Sequence, residues 1–290
     1  MKIPERLDAY LKLMRVDRPI GWLLLLWPTL WALWLAAGDI PEPRLLVIFI
    51  GGVLLMRAAG CIANDLADRD LDGYVRRTEG RPLVAGKVTV HEAVMLLAIL
   101  LTCAFVLVLL TNVLTIQLSF IAVGLAIIYP FMKRVTYLPQ VVLGAAFGWA
   151  IPMAFAATLN TVPPLAWLIF TATMIWVLIY DTMYAMVDRE DDIKIGIRST
   201  AILFGTMDRT LIGLLQLGFV GALGLIGHRA ELGTAFGLSI AVVAMLFLWQ
   251  QRLIADRDPD GCFKAFLNNN YVGLAVFVGI VADVYGRTGA

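Results

Sequence analysis

Nine stretches of about 18 to 25 apolar residues, each long enough to cross a hydrocarbon layer about 30 Å thick, decide what this chain can be. They fall near 19–37, 45–64, 92–111, 114–132, 138–157, 164–187, 209–227, 233–252 and 268–285. A soluble domain carries about a quarter charged residues. Here 16 % of 290 residues are charged, 60 % are hydrophobic and mean hydropathy is +0.83. The expected architecture is all-α: a polytopic membrane protein of nine transmembrane helices, one domain over 1–290, with cytoplasmic cap loops at about 65–91 and 188–208.

A net charge of +1 gives no reason to expect nucleic acid as a partner. The placement of charge is more informative. Most of the 23 Lys and Arg fall in 1–18, 65–91, 133–137, 188–208 and 253–267, whereas the opposite side holds Arg44, Arg229 and Arg287, and Arg57 lies within a span. The positive-inside rule then puts the N-terminus and the rich loops in the cytoplasm and the C-terminus outside. The first apolar run is too long for a secretory signal and lacks a clean A-x-A site, so it is read as a retained span.

The densest chemistry lies in RAAGCIANDLADRDLDGYVRRTEGRP, residues 57–82. Asn64, Asp65, Asp68 and Asp72 occupy about a third of a helix's circumference at about 100° per residue, with Asp70 on the other side. Carboxylates facing one way repel unless cations sit among them. A hard divalent metal with oxygen ligands resolves the repulsion, and Mg²⁺ prefers one or two carboxylates plus substrate phosphates. The bland alternative is a solvated acidic loop balanced by Arg69, Arg76, Arg77 and Arg81. A second stretch, YDTMYAMVDREDDIKIGIRST, spaces Asp181, Asp188 and Asp192 at i, i+7, i+11, within about 40° on a helix, with Glu190 pointing away. Arg57, Asn64 and Asp68 repeat that spacing four spans earlier, which hints at duplication of a four-helix unit in parallel orientation.

Two acidic stripes with Arg77, Arg81, Lys87, Lys133, Arg134 and Arg198 on the same face describe a site for Mg²⁺ and a polyanion. A diphosphate at the mouth of an apolar bundle implies an amphiphile, and an isoprenyl diphosphate has that form. Departure of pyrophosphate would be stabilised electrostatically. The allylic cation left behind needs π-faces in a dry site, and Tyr129, Trp149, Tyr180 and Tyr184 are candidates, although each taken singly is as well explained by packing.

NDLADRDLD followed by RTEGRPL, together with YDTMYAMVDREDD and KIGIRSTAILFG, resembles the UbiA superfamily of intramembrane prenyltransferases, and most closely its branch of 4-hydroxybenzoate polyprenyltransferases in ubiquinone biosynthesis. The resemblance implies nine helices around a central cavity, aspartate motifs on cytoplasmic cap loops and Mg²⁺ bridging them to the diphosphate. It carries over Asn64, Asp68 and Asp72 as the first motif and Asp188 and Asp192 as the second. It also matches Arg57 to an arginine near the aromatic acceptor, Tyr129 and Lys133 to a Y-x-x-x-K pair lining the cavity, and Arg134 to a basic residue near the diphosphate. Arg77 and Arg198 join the expected substrate-binding set. The implied reaction joins the prenyl group of a polyprenyl diphosphate to the 3-position of 4-hydroxybenzoate, with Asp188 or Asp181 polarising the phenol. Sister branches act on haem, homogentisate or dihydroxynaphthoate with similar aspartates. A carrier is the rival from another class, but it would hold its charges near the bilayer midplane rather than at one face.

The remaining polar and small residues read as structural. Cys61, Cys103 and Cys262 lack metal or disulfide spacing, His91 and His228 have no partner at ligand spacing, and Asn268, Asn269 and Asn270 open the last span. GAAFGW at 144–149 reads as close helix packing, with a widened cavity floor as the alternative. Tail length and oligomeric state have no signature in the chain.

Overall fold

The computed structural model describes residues 4–74 and 78–288; Lys2, Arg76 and Arg77 lie outside the described residues, as do the side chains of Leu71, Arg287 and Thr288. Among the described residues every regular element is helical. A short helix α1 (Glu5–Leu13) precedes α2 (Ile20–Ala37), α3 (Pro43–Asp72), α4 (Val90–Leu109), α5 (Val113–Val135), α6 (Pro139–Gly148), α7 (Ala150–Leu159) and α8 (Pro164–Val187). Two short helices, α9 (Arg189–Ile195) and α10 (Thr200–Phe204), lead into α11 (Asp208–Arg229), α12 (Thr234–Leu253) and α13 (Pro259–Thr288). Taken together they give nine described segments long and apolar enough to span a bilayer.

Four boundaries differ from the sequence reading. The second span continues as helix to Asp72, so the acidic stripe lies on the last turns of α3 and not on a loop. The last span starts at Pro259, because Asp260 and Lys264 lower the hydropathy of turns that are nevertheless helical. The fifth span is divided at Trp149 between α6 and α7, where Pro152 offers no N–H to the carbonyl four residues back. In the second motif α8 stops at Val187 and Asp188 has φ −99°, ψ 4°, so Asp181, Asp188 and Asp192 do not share one continuous helix.

The core is aromatic. Trp31 of α2 lies 5.3 Å from Trp176 of α8, which meets Tyr180 edge-on at 5.4 Å and stacks on Phe219 of α11 at 6.1 Å. The buried indole N–H of Trp176 donates to Asn269 Oδ1 at 2.9 Å, and that of Trp31 to the Gly273 carbonyl at 3.1 Å, which ties α2 and α8 to α13 without an orphaned donor. The 144–149 stretch is a packing surface: a methyl group on Gly144 would meet the Met174 backbone and one on Gly148 the Phe170 ring. By contrast α4 and α5 expose Val94, Ile99, Val106, Phe120, Ile121 and Ile127, an apolar surface that only lipid would cover.

A buried ionic contact ties the end of the N-terminal helix to α3, beside the bond from Tyr10 of α1 to Glu92 of α4. Arg15 follows α1 and donates both to Oδ1 and Oδ2 of Asp65 on α3, at 2.8 and 2.9 Å, while Arg81 reaches Asp65 Oδ1 at 2.9 Å. Asp65 is 2 % exposed, whereas the side chain of Asp70 is 86 % exposed and pairs with its neighbour Arg69, as the helical wheel requires. Hydrogen bonds to buried charges contribute about 1.5–3 kcal/mol and exposed pairs little. Asp65→Ala is therefore expected to lower unfolding free energy by about 2 kcal/mol in mixed micelles, with Asp70→Ala within about 0.5 kcal/mol of the parent protein.

Candidate active site

Helices that span a bilayer alternate in direction, so the even-numbered spans α3, α5 and α8 all finish at the face from which the chain starts. The two acidic segments and Lys133 sit at or just beyond those ends, which is why residues more than a hundred positions apart meet. They line one cavity of about 730 Å³. On α3 its wall runs from Ile48 to Asp72, a rise of about 35 Å at 1.5 Å per residue. The Ile48 end is apolar, with Phe49, Leu107, Val123 and Phe147 in the lining; the Asp72 end is ionic.

Each acid of the first motif is held differently. Asp68 is fully buried and its Oδ2 accepts from Lys133 Nζ of α5, while Arg134 Nη2 stands 3.7 Å from Oδ1. That Oδ1 has no hydrogen-bond partner among the described residues, an unusual condition for a buried carboxylate oxygen. Asp72 accepts from Arg81 Nη1 at 2.5 Å, and the Thr78 hydroxyl donates to its backbone carbonyl at 2.7 Å. Burial raises the Asp72 carboxyl above its usual pKa, the Arg81 charge opposes that rise, and the neighbouring Asp68 and Asp65 add to it. Asn64 also lines the cavity, one turn before Asp68.

The second motif reaches the same space from the opposite wall. Asp181 on α8, Asp188 at its end and Asp192 on α9 all line the cavity. The Asp192 amide donates to the Asp188 carbonyl at 2.9 Å and the Ile197 amide to the Asp192 carbonyl at 3.0 Å. Arg198 then closes the segment onto α5: its amide donates to the Lys133 carbonyl at 3.0 Å and its guanidinium to the Val135 carbonyl at 2.6 Å, with the Tyr137 ring 5.2 Å away. A cation on the last carbonyls of a helix complements its dipole.

Between the acidic end and the apolar end lie the groups suited to an aromatic substrate. Arg57 of α3 faces the cavity, and its buried Nε has no hydrogen-bond partner among the described residues. It passes over Gly21 of α2, where any Cβ would overlap the guanidinium. Tyr129, Tyr180, Tyr184 and Trp149 all line the cavity; the buried Tyr180 hydroxyl is without a hydrogen-bond partner among the described residues, and the Trp149 N–H donates to the Leu118 carbonyl at 2.9 Å.

The described site residues expected from sequence share one cavity, except Lys87, which is exposed and lies outside the lining, and Arg134, which is exposed, donates to the Ala67 carbonyl and backs Asp68 from outside it. Arg77 lies outside the described residues. Sequence reading missed Arg15, Gly21 and the grip of Arg81 on two carboxylates, since nothing in local spacing marks a partner 50 residues away. For Mg²⁺ the donor set fits. It is all oxygen, includes the orphaned Asp68 Oδ1, and forms no compact cage of three or more His, Cys, Asp or Glu among the described residues. An ion that keeps waters and takes phosphate oxygens suits so open an arrangement.

The UbiA prenyltransferase family matches residues 25–273. The 4-hydroxybenzoate octaprenyltransferase of Saccharophagus degradans is 57 % identical over 277 residues, 96 % of this chain and 93 % of that one. The protein of the same name from Hahella chejuensis is 58 % identical over 282 residues, 97 % of this chain and 94 % of that one. Among solved structures, the apo UbiA homolog from Aeropyrum pernix K1 has a TM-score of 0.79 at 25 % identity, covering 90 % of this chain and 97 % of that one. The UbiA homolog from Archaeoglobus fulgidus bound to GPP and Mg²⁺ has a TM-score of 0.76 at 20 % identity, covering 96 % and 99 %. With the family match extending over most of its length, this multi-pass membrane chain belongs to the UbiA prenyltransferase family.

Proposed function

We propose that the protein transfers a polyprenyl group from polyprenyl diphosphate to the 3-position of 4-hydroxybenzoate, at the cytoplasmic face of a bacterial inner membrane. The observation that carries this reading is one cavity that runs about 35 Å along α3, with carboxylates and bases at its ionic end and a largely apolar wall at the other. The identity of the chain to 4-hydroxybenzoate octaprenyltransferases supports the choice of acceptor. The concentration of Lys and Arg on one side supports a cytoplasmic N-terminus and an external C-terminus.

In this reading Asn64, Asp68, Asp72, Asp188 and Asp192 hold Mg²⁺, which when bound supplies positive charge to the diphosphate. Lys133, Arg198 and Arg77 offset the remaining phosphate charge, and Arg134 steadies Asp68 from behind. The tail lies along α3 and α5 toward the apolar end. Arg57 receives the carboxylate of the acceptor, a role suited to a buried guanidinium with an unused Nε donor. The C1–O bond of the prenyl diphosphate breaks with its electron pair leaving on pyrophosphate. Tyr129, Tyr180 and Trp149 present ring faces to the allylic cation and exclude water. The ring carbon ortho to the hydroxyl forms the new C–C bond while Asp181 or Asp188 polarises the phenol. Loss of the proton from that carbon restores aromaticity.

The direct test incubates purified protein with 4-hydroxybenzoate, a long-chain prenyl diphosphate and Mg²⁺ and detects the prenylated acid by mass spectrometry. Product is expected to vanish with EDTA and to fall at least about a hundredfold in Asp68→Asn or Asp192→Asn, as loss of a charge-stabilising group does. Product with another phenol or with haem, and none with 4-hydroxybenzoate, would move the protein to a different acceptor. Asp181→Asn and Asp188→Asn divide the remaining roles: the variant that loses turnover while keeping Mg²⁺ affinity carries the phenol.

Arg57 gives a separate prediction. Gly21→Ala pushes the guanidinium off its seat, so KM for 4-hydroxybenzoate is expected to rise about tenfold or more, as for a lost charged hydrogen bond. KM for the prenyl diphosphate should stay within about twofold, because the ionic end is untouched. Equal changes in both would remove Arg57 from acceptor binding.

A further inference from the structure

Helix α9 carries Asp192 yet buries none of its own residues, so packing does not hold the second acidic segment in position. Its C-terminal side is tied by Arg198 to the end of α5. Its N-terminal side is tied elsewhere. Arg189, the residue after Asp188, donates through Nη2 to Asp208 Oδ2 at 2.5 Å. Asp208 is the first residue of α11 and is fully buried. It also accepts from Arg257 Nε at 3.0 and 3.1 Å, stands 2.9 Å from Arg257 Nη2, and accepts from the Arg209 backbone N–H at 2.6 Å. Arg257 itself holds the Thr206 carbonyl at 2.7 Å.

A buried carboxylate with two guanidiniums is a poor way to gain stability, because desolvation offsets most of the attraction, but it fixes a register well. None of these three residues lines the cavity. We infer that Asp208 is a positioning residue: it anchors Arg189, and through the adjoining peptide sets where Asp188 and Asp192 stand against the diphosphate end of the cavity. The inference rests on the proposed function for its substrate but not for its geometry. Residues that orient metal ligands from behind are worth about ten to a hundredfold in affinity when removed.

The test compares Asp208→Asn with Asp283→Asn in the full-length protein in detergent. Asp283 accepts from the Ala235 and Phe236 backbone N–H groups at the start of α12, on the membrane face away from the acids, and serves as a control for stability alone. Two readouts need no turnover. Trypsin cleavage after Arg189, Lys194 and Arg198 is expected to speed up about tenfold or more in Asp208→Asn and not in Asp283→Asn, because the segment loses the anchor at its N-terminal side. The concentration of inorganic pyrophosphate with Mg²⁺ needed to raise Tm should increase about tenfold or more, with the same selectivity. With substrates, kcat/KM for the prenyl diphosphate should fall about tenfold or more in Asp208→Asn and stay within about threefold in Asp283→Asn.

Asp208→Asn that loses heat stability as the control does, yet is cut and bound as the parent is, would overturn the inference. Should the parent fail to respond to pyrophosphate with Mg²⁺, the functional reading fails and the trypsin comparison alone still decides whether Asp208 holds the segment. Where Asp208→Asn does not fold, Arg189→Lys replaces it, since the Asp208 to Arg257 pair then stays intact; unchanged cleavage there would equally overturn the inference.

Discussion

Burial of three carboxylates on one helix face is tolerable here only because cations arrive from elsewhere in the chain. Arg15 comes from beyond α1, Arg81 from the connection after α3, and Lys133 from the end of α5. An isolated carboxylate would either neutralise or drag water into the bundle. The ion pairs therefore dictate more than local charge: they require α1 to fold back over α3, and α5 to end level with it. In the proposed reaction the same cations are the natural partners of a diphosphate, and the acids freed from them are the natural partners of Mg²⁺. Binding would then be an exchange of ionic partners within a fixed set, which costs less reorganisation than assembling charges anew.

The parity of the spans supplies the second constraint. Because the chain crosses the bilayer between one acidic segment and the next an even number of times, both segments finish at the same face whatever the details of packing. The two are not built alike, however. The first rides on an unbroken thirty-residue helix whose face is already set. The second follows a helix that has stopped, and arginines tie it at both ends. The repeated i, i+7, i+11 spacing survives in the residue numbers but not in the helix geometry.

What could be read from the chain follows from the range of the forces involved. Hydropathy is a local sum, and it located the described spans to within a few residues except where the acidic turns up to Asp72 hid the end of α3 and where Asp260 and Lys264 masked the first turns of α13. The helical wheel separated Asp68 and Asp72 from Asp70 correctly, since direction along one helix is also local. Family resemblance reached further and named Arg57, Tyr129 and Lys133, which the structure brings to one cavity. Missing from both were Gly21 under Arg57 and the Arg189, Asp208, Arg257 cluster. Those contacts join positions 19 to 49 residues apart whose spacing follows no period, and no local sum contains them.

The walls of the cavity divide the work that such a site must do. Behind one side, which Tyr180 lines, Trp31, Trp176 and Phe219 pack with it in tilted, edge-on and stacked pairs, a packing that resists change because rigid rings have few alternative rotamers. That side carries Asp181 and the start of the second acidic segment, where misplacement by an ångström would cost rate. On the other side α4 and α5 present flexible aliphatic side chains both to the cavity and to lipid. A tail needs only an apolar surface, and its binding energy scales with area rather than with geometry. Precision is thus concentrated where bonds are made, and the wall that meets the tail is left with few of the polar contacts that would demand it.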